Sequence, residues 1–401
     1  MTRRRSIIPP AMEEALERTA PSSEARIAAA RSRAITGAAR AMRLRRTSVV
    51  NPNVGEDREL RDANFREPSS IDQAQKVRGE DEPETGDEAV DLSYDHAGQT
   101  WECWTRAFDR NGPDGKGSTV VVLVRYSPLL DNAFFTWDIF GRPYYVPGDG
   151  HVFNAFWRDR TVSAHELGHW VTAVTCNLGY GNDEDGALNE AGADWMAVTV
   201  EQWVLRQLAQ EAPFHIGPHL NKGDLNMVAL RTMLTPGDAY DDARLGGRDP
   251  QWVARDYDAF KRLRNPDPHT GSAVPNLAFA VAAQIRGGYL WEAIAPVWWE
   301  VWSKHLRRPG TFSTLAQHTL SVAKERWGVN SLEVSAIEAG WDAAKVPLVG
   351  LPPEPPDDDE SDCVEEFLAA PEVRSLLKQL TSLPATRRIM RRAILASRRA
   401  R

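Results

Sequence analysis

From about residue 11 to 46 Ala, Arg and Glu recur at helical density, ending in RAMRLRR. The next stretch, NPNVGEDRELRDANFREPSS, is polar and rich in turn formers, and it reads as a flexible linker, as does GEDEPETGDE behind it. The first strongly periodic segment is AVDLSYDHAGQTWECWTRAF, residues 89–108, which predicts an amphipathic helix with its aromatic residues along one side. A turn, NGPDGKGS, then leads into the strand TVVVLVRYS. Aromatic loops and short strands run on to Trp157, so this part reads as α+β. After Thr161 long helical patterns dominate to about Lys345, broken by the loop-rich stretch 233–276. The segment LPPEPPDDDESD is too polar and proline-rich to pack, and two short helical patterns, EEFLAAPEVRSLLKQL and TRRIMRRAILASRRAR, follow it. No internal repeat is visible.

Composition narrows the classes. A chain of 401 residues with 42% hydrophobic content can bury a sizeable core. Its net charge of −8 argues against a nucleic-acid binder as a whole, although both ends are arginine-rich. Three widely spaced cysteines, Cys103, Cys176 and Cys363, form neither a disulfide framework nor a metal knuckle. Behind the basic start MTRRR only Ile7 and Ile8 stand where an apolar signal core should follow. No apolar run reaches the roughly 18 residues of a membrane span. These points predict a cytoplasmic protein or leaderless export.

The candidate chemistry lies in AHELGHW. His165 and His169 are four apart, so on a helix their imidazoles leave one face a turn apart. Neutral imidazoles suit Zn²⁺, and Glu166 sits beside them where it could deprotonate a bound water. Two histidines do not complete a catalytic site, which needs a third protein ligand and an open position. GALNEAGADWMA offers Glu190 as that ligand. Asp194, one turn on, would orient a ligand histidine. Asn189 reads equally as a similar support or as a cap or surface amide. Taken alone, two helix histidines or a pair of helix carboxylates are more often an ordinary solvated face; their combination reverses that.

With these residues in hand, the sequence resembles the thermolysin-like zinc metallopeptidases (gluzincins). The resemblance rests on HELGHW with NEAGAD, and extends through AVDLSYDHAGQTWECW, DNAFF, HTGSAVPNLAFAVA and FSTLAQHTLSVAKERWGVNSLEVSAIEAGWDAAKV, covering about residues 75 to 347. RRRSIIPPAMEEALERTA and the segments after it are similar to the short inhibitory propeptide of the protealysin-like branch. The resemblance implies an α+β, two-lobed fold, with an α/β N-terminal lobe, a mainly helical C-terminal lobe and the zinc helix between them. It implies a propeptide over 1–50, a linker and processing region over 51–80, an N-terminal lobe over 81–180 and a helical lobe over 181–347. Residues 348–401 form an acidic, proline-rich linker and basic tail beyond the family pattern.

Function and site residues carry over in the same way. The expected protein is a zinc endopeptidase, made as a self-inhibited precursor and cut between about residues 46 and 75. His165, His169 and Glu190 would hold one Zn²⁺, Glu166 would be the base, and Tyr180 and His269 would steady the oxyanion. Arg231 would bind a substrate carbonyl, Asn132 and Ala133 would pair with the substrate backbone, and Val162 and Leu230 would line a pocket for a hydrophobic residue after the cut. Partners would be peptide or protein substrates and the propeptide, acting on a monomer.

Several positions depart from the pattern. Gly168 stands where the family usually has Thr, and the loop from Tyr180 to Glu190 is one residue longer than usual. The carboxylate expected to orient His269 is displaced, leaving Asp267 as the close substitute. Thr161 replaces an Asp of the calcium cluster, of which only Glu201 has a match, so no tight double calcium site is expected. The basic helix RRIMRRAILASRRAR could touch a membrane, but a solvated tail is the plainer reading. A binding protein that keeps the metal but does not cleave, and an aminopeptidase, are the competing functions.

Overall fold

The computed structural model describes residues 6–20, 22–39, 55–248 and 253–348. The proposed C-terminal tail helix and Cys363 lie outside the described residues. The chain opens with two helices, α1 (Pro10–Thr19) and α2 (Ser23–Ala39), packed on each other. Pro10 at the first turn of α1 suits a position whose N–H has no partner within the helix.

A five-stranded sheet follows, built from β1 (Arg58–Asp62), β2 (Gln75–Arg78), β3 (Val120–Val124), β4 (Ala133–Trp137) and β5 (Pro143–Pro147), in the order β2-β1-β3-β5-β4. β3 runs parallel to both β1 and β5, and the remaining pairs are antiparallel. Its VVVLV is buried throughout, as befits a central strand covered on both faces. Helix α3 (Glu88–Phe108), N-capped by the Asp87 side chain, packs against the sheet with Val90, Trp101 and Trp104 buried.

The fold corrects the linker expected over 51–80. RELRD is a strand between β2 and β3, and QKVR is its neighbour. β1 lacks hydrophobic alternation because only Leu60 is fully buried; its charged side chains are neutralised instead. Arg58 pairs with Glu80 at 2.5 Å, and Asp62 with Arg125 at 3.1 Å.

The second lobe is mainly helical. Helix α4 (Arg160–Val174) leads into it, and the lobe itself is built on α5 (Glu184–Leu205), α6 (Tyr257–Arg262), α7 (Pro268–Arg286), α8 (Ile294–Glu300), α9 (Phe312–Trp327) and α10 (Leu332–Ala343). Two short strands, β6 (His215–Ile216) and β7 (Arg231–Thr232), pair antiparallel between α5 and α6. α4 touches both β4 and β5 on one side and α5 on the other, so it stands where the two lobes meet. Its residues Thr161 to Ala173 are all buried, which is why it shows no polar face.

Candidate active site

The N-terminus of α4 is fixed first. The fully buried Asp159 carboxylate accepts from the Thr161 N–H at 2.9 Å and the His219 N–H at 2.8 Å. Further along, α4 and α5 come together closely at Gly168. A β-carbon there would lie 3.0 Å from the Ala193 Cα, so the glycine that departs from the family pattern lets two backbones approach. That approach sets the His165 and His169 face of α4 against the Glu190 face of α5.

The result is a buried cluster of His165, His169 and Glu190 whose ligand atoms all lie within 4.8 Å of one another. His165 Nε2 is 3.4 Å from Glu190 Oε2, and His169 Nε2 is 3.3 Å from Glu190 Oε1. Ligands held about 2.0–2.1 Å from a zinc ion in a tetrahedron are about 3.3–3.4 Å apart, so the spacing fits that metal. His165 Nε2 and Glu190 Oε2 are buried without a hydrogen-bond partner, as donor atoms meant for an ion would be. Two imidazoles and a carboxylate are a zinc donor set with one position left for water or substrate.

Each of the two histidines is aimed from behind. Asn189 donates its amide to the Leu178 and Gly179 carbonyls at 3.0 and 3.1 Å, which turns its oxygen toward His169 Nδ1 at 3.0 Å. His169 therefore donates from Nδ1, and its Nε2 lone pair faces the cluster. Asp194 does the same for His165, whose Nδ1 lies 2.8 Å away. Asp194 also receives Arg231 through Nε at 3.0 Å and Nη2 at 2.7 Å, and Asn276 at 2.8 Å. Burial raises the Asp194 pKa, but the Arg231 charge and these bonds outweigh it and hold the carboxyl at about 2. Sequence reasoning missed Asn276. Its signal was a polar residue in the apolar run AVPNLAFA, two turns beyond His269 on one face of a helix.

Glu166 is fully buried beside the cluster, and burial pushes its carboxyl up to about 7, with His165 pulling it back. Tyr180 donates its hydroxyl to Glu190, and its ring stands edge-on to His269 at 6.4 Å. The extra residue in its loop has not carried it away from the cluster. His269 opens α7, where the Asp267 carboxylate accepts both the His269 N–H at 3.0 Å and, at 2.6 Å, its Nδ1. Burial opposes protonation of His269, yet the Glu190 and Asp267 charges raise its pKa.

The start of the chain fills the space in front of these groups. The Ser6 carbonyl lies 2.5 Å from His269 Nε2. Ile7 donates its N–H to the Ala133 carbonyl at 3.2 Å and accepts from Arg231 Nη1 at 2.9 Å. Ile8 donates to the Asn132 side-chain oxygen at 3.0 Å. Ile7, Val162 and Leu230 are buried in one hydrophobic cluster. Glu13 accepts the Asn132 amide at 2.8 Å and the Thr36 hydroxyl at 2.8 Å. The role of Glu13 was not legible, because its partners are more than twenty and more than a hundred residues away. Glu201, the remaining calcium-cluster match, is in an ion pair with Arg160 at 2.8 Å.

Comparison with known proteins agrees with this geometry. Residues 42–173 match the thermolysin metallopeptidase catalytic domain, and 176–346 match the thermolysin metallopeptidase alpha-helical domain. The chain belongs to the thermolysin-like metallopeptidase family. It is 34% identical over 273 residues to an extracellular metalloprotease of Pectobacterium carotovorum, a match covering 67% of this chain and 76% of that one. It is 36% identical to protease PrtS of Photorhabdus, over 62% of this chain and 67% of the other. The precursor of protealysin, a metalloproteinase from Serratia proteamaculans, superposes with a TM-score of 0.74 at 31% identity, covering 86% of this chain and all of that one.

The family and the donor set together make this protein a zinc-dependent metalloendopeptidase, and a precursor organisation fits it. The expected cytoplasmic location is corrected by the relatives, two of which are named as extracellular enzymes. The expectation rested on an absence, and an absence does not decide the compartment. Among the described residues no helix is long and apolar enough to cross a membrane.

Proposed function

We propose that this zinc endopeptidase is held silent by its own first fifty residues and cuts peptide chains ahead of a hydrophobic residue. The single observation that carries the reading is Ser6–Ile8 lying between His269, Arg231 and the β4 edge, directly in front of the metal cluster. His165, His169 and Glu190 hold the ion in this reading, with Asp194 and Asn189 fixing the imidazoles. Bound zinc supplies a Lewis acid that polarises a carbonyl and acidifies a water. Glu166 takes that water's proton and delivers it to the departing nitrogen, a task suited to a carboxyl raised toward neutrality by burial.

His269, aimed by Asp267, presents Nε2 to the oxygen of the scissile carbonyl, and the Tyr180 hydroxyl stands ready as a second donor. Arg231 binds the next carbonyl, while Asn132 and Ala133 pair with the peptide backbone as an added strand on β4. Val162 and Leu230 supply the apolar surroundings of the residue after the cut. The Asp267 contact weighs against a silent, merely metal-binding relative, because it stands in for the displaced carboxylate expected to orient His269.

The maturation cut falls on the amino side of β1, because a cut beyond Arg58 would pull a strand from the middle of the sheet. The catalytic body then runs from that strand through the lobe boundary near residue 180 to about residue 347. It works as a monomer on peptide and protein substrates, with no nucleic acid involved. No tight double calcium site is expected, since Arg160 already neutralises Glu201. Incubation of casein and a blocked internal peptide with and without a chelator tests the function. Internal cuts abolished by the chelator are expected; N-terminal trimming alone, or no cutting, would overturn it.

A further inference from the structure

We propose that the Ser6–Ile7 bond is itself a substrate of this active site, so that the chain cuts its own prosegment there as well as at the junction with the catalytic body. This rests on the peptidase reading and deepens it by naming a sequence the site accepts: Ser before the cut, Ile after it.

Register decides which bond reacts. A bound peptide about to be hydrolysed must present one carbonyl to the metal side and run onward along the β4 edge. Ser6 meets the first condition. Its carbonyl oxygen is 2.5 Å from His269 Nε2, which in turn is 3.5 Å from Glu190 Oε2. Ile7 and Ile8 meet the second. Ile7 gives its N–H to Ala133 at 3.2 Å and its carbonyl to Arg231 at 2.9 Å, and Ile8 gives its N–H to Asn132 at 3.0 Å. Every backbone polar group from the Ser6 carbonyl to the Ile8 N–H is thus taken by a group that the peptidase mechanism assigns to substrate. The Ile7 side chain is fully buried. A blocking segment that merely filled the space would not need this one-to-one match.

The chain then leaves. Pro9 is extended, with φ −62° and ψ 142°, and α1 begins at Pro10, so no later bond can slide into the reacting position. Hydrolysis at Ser6–Ile7 breaks the C–N bond and forms a C–O bond to the oxygen of water. Ser6 becomes a carboxylate, and the water proton passes through Glu166 to the Ile7 nitrogen, which becomes a free amine. The trimmed prosegment stays in place as a bound product. Glu13 still holds Asn132, the Ser32 hydroxyl still accepts the Asp131 N–H at 2.9 Å, Arg31 still pairs with Glu67 at 2.8 Å, and Ile35 remains in the cluster with Leu130 and Phe134.

Intact-mass and peptide mass spectrometry of the zinc-loaded full chain over time tests this, with casein cleavage followed in the same samples. A species beginning at Ile7 is expected, absent from Glu166→Gln and at least tenfold slower to form in Ile7→Pro, which cannot donate to Ala133. If casein is cut and the prosegment is released while residue 6 stays joined to residue 7, the self-cleavage proposal is overturned and the peptidase reading stands. If neither casein nor the chain is cut, both fall. Hydrogen exchange on the metal-free chain gives a second readout of register. The Ile7 and Ile8 amides should exchange about a hundredfold slower than in the free peptide; unprotected amides there would overturn the register.

Discussion

His165 and His269 face the same small space, yet they are held in different ways. His165 is aimed by Asp194, which sits on a second buried helix and is itself gripped by Arg231 and Asn276. His269 is aimed by Asp267, two residues away on the same chain, at the N-cap of its own helix and partly exposed. The metal side is therefore fixed by tertiary packing with several partners in reserve. His269 is aimed by one local contact. Metal retention should accordingly survive many changes that reduce turnover, while damage to Asp194 should cost both metal and fold.

The largest expected effect breaks the first support. Asp194→Ala leaves the buried Arg231 without its carboxylate, a loss of roughly 3–5 kcal/mol, and should weaken zinc binding by about 10–100-fold. Chelator competition and thermal denaturation of the metal-free chain read the two effects. A variant with native metal affinity would mean that His165 is aimed by something else.

Asp267→Asn attacks the second support. Activity should fall on the order of tenfold to a hundredfold with zinc affinity unchanged, read as kcat/KM on a blocked peptide beside metal content. Equal loss of zinc would erase the distinction between the two histidines.

Gly168→Ala tests the helix approach that makes the cluster. The added methyl meets Ala193, a crowding cost of about 1–3 kcal/mol, offset by roughly 1 kcal/mol of helix propensity. A modest net loss of stability with weaker zinc binding is expected from melting curves and chelator titration. A net gain in both would show that the approach has slack.

The smallest effect concerns the start of the zinc helix. Its hydrogen bond to Asp159 raises the His219 pKa against the opposing effect of burial. A raised histidine contributes stability that is complete below its unfolded value of about 6.5 and is lost as pH rises through the folded one. His219→Gln should remove a slight fall in melting temperature of the metal-free chain as pH rises above about 6.5. Because the ring is well exposed, an unaltered pH profile down to acid would place the grip wholly in the Asp159 cap.

What could be read in advance follows the same division. The candidate zinc ligands were legible because helical spacing pairs His165 with His169 and Glu190 with Asp194, and the two pairs occur together. Helix 88–108 and the apolar strand 120–124 were legible from periodicity. β1 was not, since RELRD is stabilised by ladder bonds and ion pairs whose partners lie elsewhere. Gly168 stood out only as a departure from the family pattern, because the Ala193 backbone that explains it lies on another helix. Asn276 and Glu13 take their meaning from residues 82 and 119 positions away, respectively, which no local pattern encodes. Asp267 was legible by proximity alone.

The most direct test of the proposed mechanism measures zinc content and casein cleavage on the same preparation of Glu166→Gln. One zinc per chain with cleavage abolished and the prosegment still attached is the result predicted. Full activity in that variant, or loss of its zinc, would contradict the role of Glu166 as the base and of His165, His169 and Glu190 as the ligands.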